Sequence, residues 1–283
     1  MDARLDGTDP GTVPLVTDVR TRLLGLVAGI AAFSGLASLA MSGSINGVDL
    51  AALDAFASLH GGPLDLVMIG TTDLGNANVL GYLTILAAGS AWTLASGRAA
   101  LFLAVGYVLS GVVSDALKAA IARPRPAATF QIPELPNEAD RAIWAATAVI
   151  LAVLLWRSRW RWPAAGGAAF LVFAIWFDAA SISTPGLDSL PSGHALRSMA
   201  LALGVVYVSP PRLPRPALIA AATAVVAIGI SRVYLGHHHP SDVVAGWFGG
   251  VALVSALSLI PPFRPAAIRS AVNGQSWESR PPT

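Results

Sequence analysis

Three short polar clusters interrupt an otherwise apolar chain, and their residue types suit the binding of an anion. The first holds Lys118, the only lysine in the sequence, with Arg125 seven residues later. The second is the segment 191–194, and the third is 231–242. Ionisable groups at membrane depth are costly to place and therefore indicate a functional site. We expect the three clusters to converge on one bound anion.

The first cluster lies at the predicted end of an apolar helix. Lys118 falls in its last turn, and the two prolines that follow prevent the helix from continuing. A common structural explanation for cations at a helix end is that they anchor the helix at the membrane surface. The orientation predicted below places these cations on the extracytoplasmic side, where positive charge is disfavoured. Asp115 is in position for an i,i+3 ion pair with Lys118. We interpret Arg123, which lies between Lys118 and Arg125, as peripheral.

The second cluster reads Pro191-Ser192-Gly193-His194 and opens another apolar segment. Ser192 is a natural N-cap residue, and Gly193 allows a ligand to approach the backbone closely. The free N–H groups of a helix N-terminus bind phosphate readily. His194 would lie in the first turn beside such an anion. A capping serine followed by an unrelated histidine would give the same tetrapeptide. This cluster therefore indicates a functional site only in combination with the other two.

The third cluster begins with Ser231-Arg232 and continues through His238 to Asp242. Pro240 suits the first turn of a helix, which places His238 just before the helix and Asp242 in its first turn. The carboxylate can then accept the Nδ1–H of His238 and leave Nε2 free as a nucleophile. The histidine run 237–239 could alternatively bind a metal. Three adjacent histidines cannot all face one ion without strain, so we predict no metal.

Taken in order, Lys-x6-Arg-Pro, Pro-Ser-Gly-His and Ser-Arg-x5-His-x3-Asp resemble the three-part signature of the type 2 phosphatidic acid phosphatase family. All three parts match without a gap over residues 118–242. The resemblance implies a membrane bundle, a metal-independent phosphatase site without a cofactor, and a phosphohistidine intermediate. One departure is the 64 residues between Pro126 and Pro191, which contain an extra pair of apolar segments.

The resemblance also implies roles for individual residues. His238 would be the nucleophile, Asp242 would hold its tautomer, and His194 would serve as general acid and then general base. The phosphate oxygens would be held by five residues, namely Lys118, Arg125, Ser192, Gly193 and Arg232. Arg197 could read a second phosphate or a headgroup, or it could form an ion pair with Asp188. His60 is interpreted as an ordinary interfacial histidine.

The composition predicts a membrane protein. Hydrophobic residues make up 54% of the chain and charged residues 12%, whereas a soluble domain carries about 25% charged residues. The absence of cysteine excludes disulfides and thiolate metal sites. Because the arginines are scattered, we expect no nucleic-acid partner. The predicted fold class is all-α, a polytopic transmembrane helical bundle with a six-helix phosphatase core and an inserted helix pair.

Eight apolar segments approach the roughly 20 residues that span a bilayer core. They are 23–41, 79–96, 99–120, 142–156, 164–182, 192–209, 217–235 and 241–260. The first segment is longer than the apolar region of a cleaved signal peptide, so we expect a retained helix. The stretch 48–75 is interpreted as short interfacial helices and turns. The pair 142–156 and 164–182 must cross together, and a re-entrant hairpin with six true spans is the alternative.

Charge distribution predicts the orientation. With a cytoplasmic N-terminus and eight spans, 12 of the 18 basic residues fall on the cytoplasmic side, as the positive-inside rule expects. Both termini would then be cytoplasmic and the site extracytoplasmic, in a bacterial plasma membrane. The predicted organisation is a polar tail over 1–19, a membrane phosphatase domain over 20–262, and a cytoplasmic tail over 263–283.

The predicted function is hydrolysis of a phosphomonoester or diphosphate on a membrane lipid. Candidate substrates are phosphatidic acid, phosphatidylglycerol phosphate and polyprenyl monophosphate or diphosphate, whose tails stay in the lipid bilayer. A phosphotransferase with the same intermediate is the alternative enzyme. A transporter is the alternative from another class, but internal repeats typical of transporters are absent from the sequence. The sequence does not predict an oligomeric state.

Overall fold

The computed structural model describes residues 12–14, 18–132, 188–209 and 212–263, with a few isolated positions between 146 and 166. Within these ranges the fold is a helical bundle. Its α-helices are α1 (Val19–Met41), α2 (Asn46–Ala57), α3 (Pro63–Asp73), α4 (Ala77–Leu94), α5 (Gly97–Ile121), α6 (Gly193–Val208), α7 (Arg215–Tyr234) and α8 (Pro240–Leu259). Two short strands, β1 (Thr12–Pro14) and β2 (Arg212–Pro214), pair in antiparallel fashion.

The helices confirm the all-α prediction for the described part of the chain. Four of them, α1, α5, α7 and α8, are long and apolar enough to cross a membrane, and α6 is a shorter apolar helix. The stretch 48–75 forms the two short helices α2 and α3, as expected. The segments 142–156 and 164–182 fall almost wholly outside the described residues. The count of eight spans therefore stays a prediction.

Local sequence signals explain where several helices begin and end. Asp18 caps α1 by accepting the N–H of Thr21 at 2.7 Å, and Ser96 caps α5 by accepting the N–H of Ala99 at 3.2 Å. Helix α5 ends at Ala122, whose φ of 50° lies in the left-handed region. The helix therefore ends one turn after Lys118, and the chain that follows contacts the segment before α6.

Close helix packing brings the ends of four helices together. Helix α8 packs against α1 and α6, and α5 packs against α4 and α6. Gly29 permits the approach of α1 to α8, because a Cβ there would lie 2.9 Å from the Ala252 backbone nitrogen. An aromatic cluster closes one end of the bundle, where Phe102 stacks on Tyr207 at 4.8 Å and meets Phe263 edge-on. The polar clusters lie at the other end, at the C-termini of α5 and α7 and the N-termini of α6 and α8.

Candidate active site

Backbone hydrogen bonds join the three polar clusters to one another. The Ser189 N–H donates to the carbonyl of Arg123 at 2.7 Å, which links the segment after α5 to the segment before α6. The Ser192 N–H donates to the carbonyl of Asp242 at 3.0 Å, which links the starts of α6 and α8. The clusters predicted to converge from distant parts of the sequence are thus neighbours in the fold.

Gly193 lies in the middle of a group of polar side chains. A Cβ at this position would lie 3.1 Å from Arg197 Nη1, 3.2 Å from Ser114 Oγ and 3.7 Å from Lys118 Nζ. Any larger residue would fill space that these donors surround. The glycine therefore keeps the space beside these donors open, as expected of a position where a ligand approaches the backbone.

Two of the buried hydroxyl groups that have no hydrogen-bond partner among the described residues lie beside Gly193 and Lys118. Ser192 and Ser114 are both fully buried, and neither Oγ makes a hydrogen bond to the part of the chain that the structure describes. Ser192 occupies the N-cap position of α6, but the expectation that its side chain caps the helix is wrong. An unsatisfied buried hydroxyl costs free energy that an anionic ligand can recover. Both groups are suited to donate to a bound phosphate.

His238 is buried beside Asp242. The imidazole is 1% exposed, and its Nδ1 lies 3.7 Å from Asp242 Oδ2. This separation is longer than the expected hydrogen bond. Asp242 Oδ2 instead accepts the His239 N–H at 2.8 Å and lies 3.2 Å from His239 Nδ1. Pro240 begins α8 as predicted, with His239 at the N-cap.

Burial keeps the His238 imidazole neutral. Desolvation lowers the pKa of His238 to about 3, and the positive charges of Arg232 and Lys118 act in the same direction. The nearby negative charge of Asp242 opposes this shift without cancelling it. A neutral imidazole has a lone pair for attack, so the environment favours His238 as a nucleophile.

His194 shares the same electrostatic environment. The positive charges of Arg232, Arg197 and Lys118 all act on its ring, and the neutral His238 is a further neighbour. The turn between α3 and α4 packs directly on this ring, since a Cβ at Gly75 would lie 2.8 Å from His194 Cδ2. The two histidines and the surrounding cations therefore occupy one region.

Both phosphate-site arginines, Arg232 and Arg125, lie in this region. The Arg232 Nη1 donates to Thr72 Oγ1 at 2.7 Å, and both residues are buried. Arg125 acts electrostatically on Lys118. Arg125 also lines a cavity of about 220 Å³, together with Asn46, Arg123 and His239. This cavity opens between α2 and the segment that follows α5.

Arg123 is the main departure from the sequence interpretation. It was expected to be peripheral, and this is wrong, because its side chain is 7% exposed. Its Nη1 lies 2.6 Å from Asp242 Oδ1, and its Nη2 lies 2.8 Å from Asp49 Oδ2. Asp49 belongs to α2 and to none of the three clusters. Sequence reasoning had no signal for it beyond the presence of an acidic residue in a weakly apolar stretch.

Three smaller expectations are also decided by the structure. Arg197 pairs with Asp115 at 3.8 Å rather than with Asp188. The expected i,i+3 ion pair between Asp115 and Lys118 is not among the ion pairs of the described residues, although Asp115 lies near enough to act on Lys118 electrostatically. His60 contacts the main-chain carbonyl of Tyr234 through Nε2 at 2.7 Å, in keeping with an ordinary structural histidine.

Among the described residues, no group of three His, Asp or Glu side chains is arranged to hold a metal ion.

Two known proteins are similar to this chain. A decaprenylphosphoryl-5-phosphoribose phosphatase from Mycobacterium tuberculosis is 32% identical to this chain over 118 residues. The identity is the same for the protein from strain CDC 1551 and from strain H37Rv. This match covers 36% of the chain and 63% of the relative's length. The crystal structure of a transmembrane PAP2-type phosphatidylglycerolphosphate phosphatase from Bacillus subtilis superimposes with a TM-score of 0.59 at 20% identity. That superposition covers 83% of this chain and 94% of the other, and it supports a shared transmembrane helical fold.

The family model described as the PAP2 superfamily matches residues 99–265, which is more than half of the chain. The matched range contains all three polar clusters and four of the helices that carry or flank them. The chain belongs to the PAP2 superfamily.

Proposed function

We propose that this protein is a membrane lipid phosphatase that hydrolyses a phosphomonoester or diphosphate through a phosphohistidine intermediate, without a metal. One observation carries the proposal above the others. Two histidines, His194 and His238, lie among Lys118, Arg125 and Arg232 at the ends of apolar helices. Cations, histidines and buried hydroxyls in such a place suit phosphoryl transfer at a membrane surface.

In the first step, the lone pair on His238 Nε2 attacks phosphorus in line with the leaving oxygen. The new N–P bond forms as the bond from phosphorus to the leaving oxygen breaks, and that oxygen keeps the bonding electrons. His194 donates a proton to the leaving oxygen. Asp242 favours the His238 tautomer that carries its proton on Nδ1.

In the second step, the phosphohistidine is hydrolysed. His194, now neutral, takes a proton from a water molecule whose oxygen attacks phosphorus. The N–P bond breaks, its electrons return to His238, and inorganic phosphate leaves. His194 regains the proton that the next cycle requires.

The charge that develops on the phosphoryl oxygens is balanced by fixed donors. Phosphoryl transfer depends mostly on positioning and on charge stabilisation. The side chains of Lys118, Arg125 and Arg232 supply positive charge, the Ser192 hydroxyl is buried and free to donate, and the Gly193 N–H opens α6. Arg197 extends the cationic region on the side of Gly193. Several fixed cations can take the place of a metal ion in this arrangement.

A lipid is the substrate that best suits the position of the site. Phosphatidic acid, phosphatidylglycerol phosphate and polyprenyl monophosphate or diphosphate each present a phosphate at the membrane surface while the tail stays in the bilayer. The relative from M. tuberculosis is described as acting on a decaprenyl-linked phosphate. That description favours a polyprenyl-linked substrate over the others.

Charge at the opposite end of the bundle supports the proposed orientation. Arg20, Arg98 and Arg215 are exposed, and they lie at the starts of α1, α5 and α7, away from the site. By the positive-inside rule, this end faces the cytoplasm and the site faces away from it. We propose a bacterial plasma-membrane domain over 20–262, with the tails 1–19 and 263–283 on the cytoplasmic side.

The test is a phosphate-release panel with purified protein in lipid bilayers. Each of the four lipid phosphates is supplied in turn, with and without a chelator, beside a His238→Ala protein. We expect phosphate release from at least one lipid, unaffected by chelator and lost in His238→Ala. Release that needs a metal would refute the metal-free mechanism, and comparable release by His238→Ala would refute the proposed nucleophile. Transfer of the phosphoryl group to an added alcohol with little free phosphate would favour a phosphotransferase.

A further inference from the structure

We propose that Asp49 and Arg123 form a buried clamp that positions Asp242 and, through it, His238. Both residues lie outside the eight positions assigned to the catalytic and phosphate-binding machinery. In this account they are positioning residues, because neither is required to touch the substrate. The inference rests on the proposed function, since it assigns a role in the first step of that reaction.

The guanidinium of Arg123 bridges two carboxylates from different helices. Its Nη1 donates to Asp242 Oδ1 at 2.6 Å, and its Nη2 donates to Asp49 Oδ2 at 2.8 Å. Asp49 is 1% exposed and Asp242 is fully buried. A planar fork with donors on two sides can span both carboxylates, which a lysine ammonium at the same place cannot do. The geometry therefore uses a property specific to arginine.

Asp49 also holds the first turn of α8 directly. Its Oδ1 accepts the N–H of Ser241 at 3.0 Å, and its Oδ2 accepts the Ser241 hydroxyl at 2.6 Å. The N–H groups of a helix's first turn have no partner within the helix. A carboxylate from α2 thus supplies the cap that the α8 N-terminus needs, 192 residues away in the sequence. The same turn carries Asp242.

The clamp fixes which oxygen of Asp242 faces the histidines. Oδ1 is occupied by Arg123, so Oδ2 is left for the two histidines. It accepts the His239 N–H at 2.8 Å, and it lies 3.2 Å from His239 Nδ1 and 3.7 Å from His238 Nδ1. One guanidinium is shared between two carboxylates, so it neutralises only part of the charge on Asp242. The remaining charge acts on His238.

The charged and titratable groups around His238 come from several elements. Asp242 and His239 belong to the start of α8, Arg232 ends α7, Lys118 lies in α5, and His194 lies in α6. The clamp changes only one of these contributions directly, namely the effective charge of Asp242. Removing Arg123 should strengthen the negative charge beside His238 and favour its protonation. Removing the charge of Asp49 should release Arg123 fully to Asp242 and disfavour that protonation.

The experiment measures the rate of phosphoenzyme formation as a function of pH with the full-length protein in bilayers. The substrate is the lipid phosphate that the wild type hydrolyses best, so its own ionisation is common to all proteins. The variants are Arg123→Gln, Asp49→Asn and Arg123→Lys. Matched controls are Arg22→Gln, which loses a hydrogen bond to Ser258 at the opposite end, and Asp54→Asn, which changes an exposed carboxylate on α2.

We expect the acid limb of the profile to move to higher pH in Arg123→Gln and to lower pH in Asp49→Asn. Arg123→Lys keeps the positive charge but cannot bridge both carboxylates, so it should form phosphoenzyme about 10–100-fold more slowly, the range typical of residues that orient a functional side chain. Both controls should match the wild type. General loss of structure would not move the two limbs in opposite directions.

The clamp is overturned if Arg123→Gln and Asp49→Asn leave the limb in place or move it in the same direction. It is also overturned if Arg123→Lys forms phosphoenzyme at the wild-type rate. Should Arg123→Gln fail to fold, Asp49→Asn and Arg123→Lys still decide the question. A wild-type protein that forms no phosphoenzyme on any of the lipids would instead refute the proposed function itself.

Discussion

The two ends of the bundle hold their charges in opposite ways. At the site end, four charged side chains are buried and hydrogen-bonded, namely Asp49, Arg123, Arg232 and Asp242. At the opposite end, Arg20, Arg98 and Arg215 are exposed at helix starts. At the site end, side-chain hydrogen bonds and ion pairs join helices that are far apart in the sequence. At the opposite end, an aromatic cluster and a short pair of strands close the bundle.

This contrast separates charges that serve chemistry from charges that serve orientation. A buried ion loses its hydration, so breaking its pair costs about 3–5 kcal/mol. An exposed ion keeps its hydration, and an exposed ion pair contributes about 0–1 kcal/mol. Similar substitutions should therefore reduce activity and stability more at the site end than at the opposite end.

The largest effect is expected for Lys118→Ala. The ammonium lies near Gly193 and among the arginines of the site, where it would balance charge on the phosphoryl oxygens. Loss of one such donor should lower kcat/KM by about 10²–10³-fold. The measurement is lipid phosphate hydrolysis, with Arg98→Gln as the control from the opposite end. Equal activity in Lys118→Ala and Arg98→Gln would contradict the claim that only the site-end charges serve the chemistry.

A smaller loss is expected for Gly75→Ala. The new Cβ would lie 2.5 Å from Ile228 Cγ2 and 2.8 Å from His194 Cδ2, so the His194 ring must shift. A displacement of about 1 Å can cost up to about 100-fold in rate. Because His194 serves in both steps, a quenched-reaction assay should show slower formation and slower hydrolysis of the phosphoenzyme. Gly70→Ala is the matched control on α3, since a Cβ there meets no atom within 4 Å, and similar behaviour of both variants would argue against the contact.

The pH dependence of stability should reveal the buried neutral histidine. Burial lowers the pKa of His238 from 6.5 to about 3. Between these values the unfolded chain binds a proton that the folded protein does not, so the free energy of unfolding falls as the pH falls. The slope contributed by one such group reaches about 1.4 kcal/mol per pH unit. Thermal unfolding should therefore be less acid-sensitive in His238→Gln than in wild type, while the half-buried His60→Gln control should resemble wild type.

The smallest effect is expected for Arg215→Gln. This exposed arginine lies at the start of α7, at the end away from the site. Surface substitutions usually change stability by less than about 0.5 kcal/mol. Hydrolysis by the purified, reconstituted protein should stay within about twofold of wild type. A loss as large as that in Lys118→Ala would mean that the two ends are not functionally distinct.

Much of the fold could be predicted from the sequence because the helices are locally encoded. Apolar length defined α1, α5, α7 and α8, and proline marked the start of α8 at Pro240. The three motif clusters followed from residue type and spacing. In each case the signal lies within a few residues of the feature it predicts.

The residues that support the site could not be predicted in this way. Asp49, Thr72 and Gly75 lie on α2, α3 and the turn after α3, and they meet the site only through tertiary packing. Arg123 was misread because it stands at an unspecified position of the Lys-x6-Arg-Pro spacing, to which the motif assigns no role. Contacts across 119 and 192 residues leave no periodic or local pattern in one sequence.

The central claim is that one site at the membrane surface transfers a phosphoryl group to His238. It is tested most directly by incubating the protein with a lipid carrying a labelled phosphate, quenching within the first turnover, and locating the label by mass spectrometry. The account predicts label on His238 in the wild type, longer-lived label on the same residue in His194→Ala, and none in His238→Ala. Label on a different residue, or wild-type turnover by His238→Ala, would contradict it.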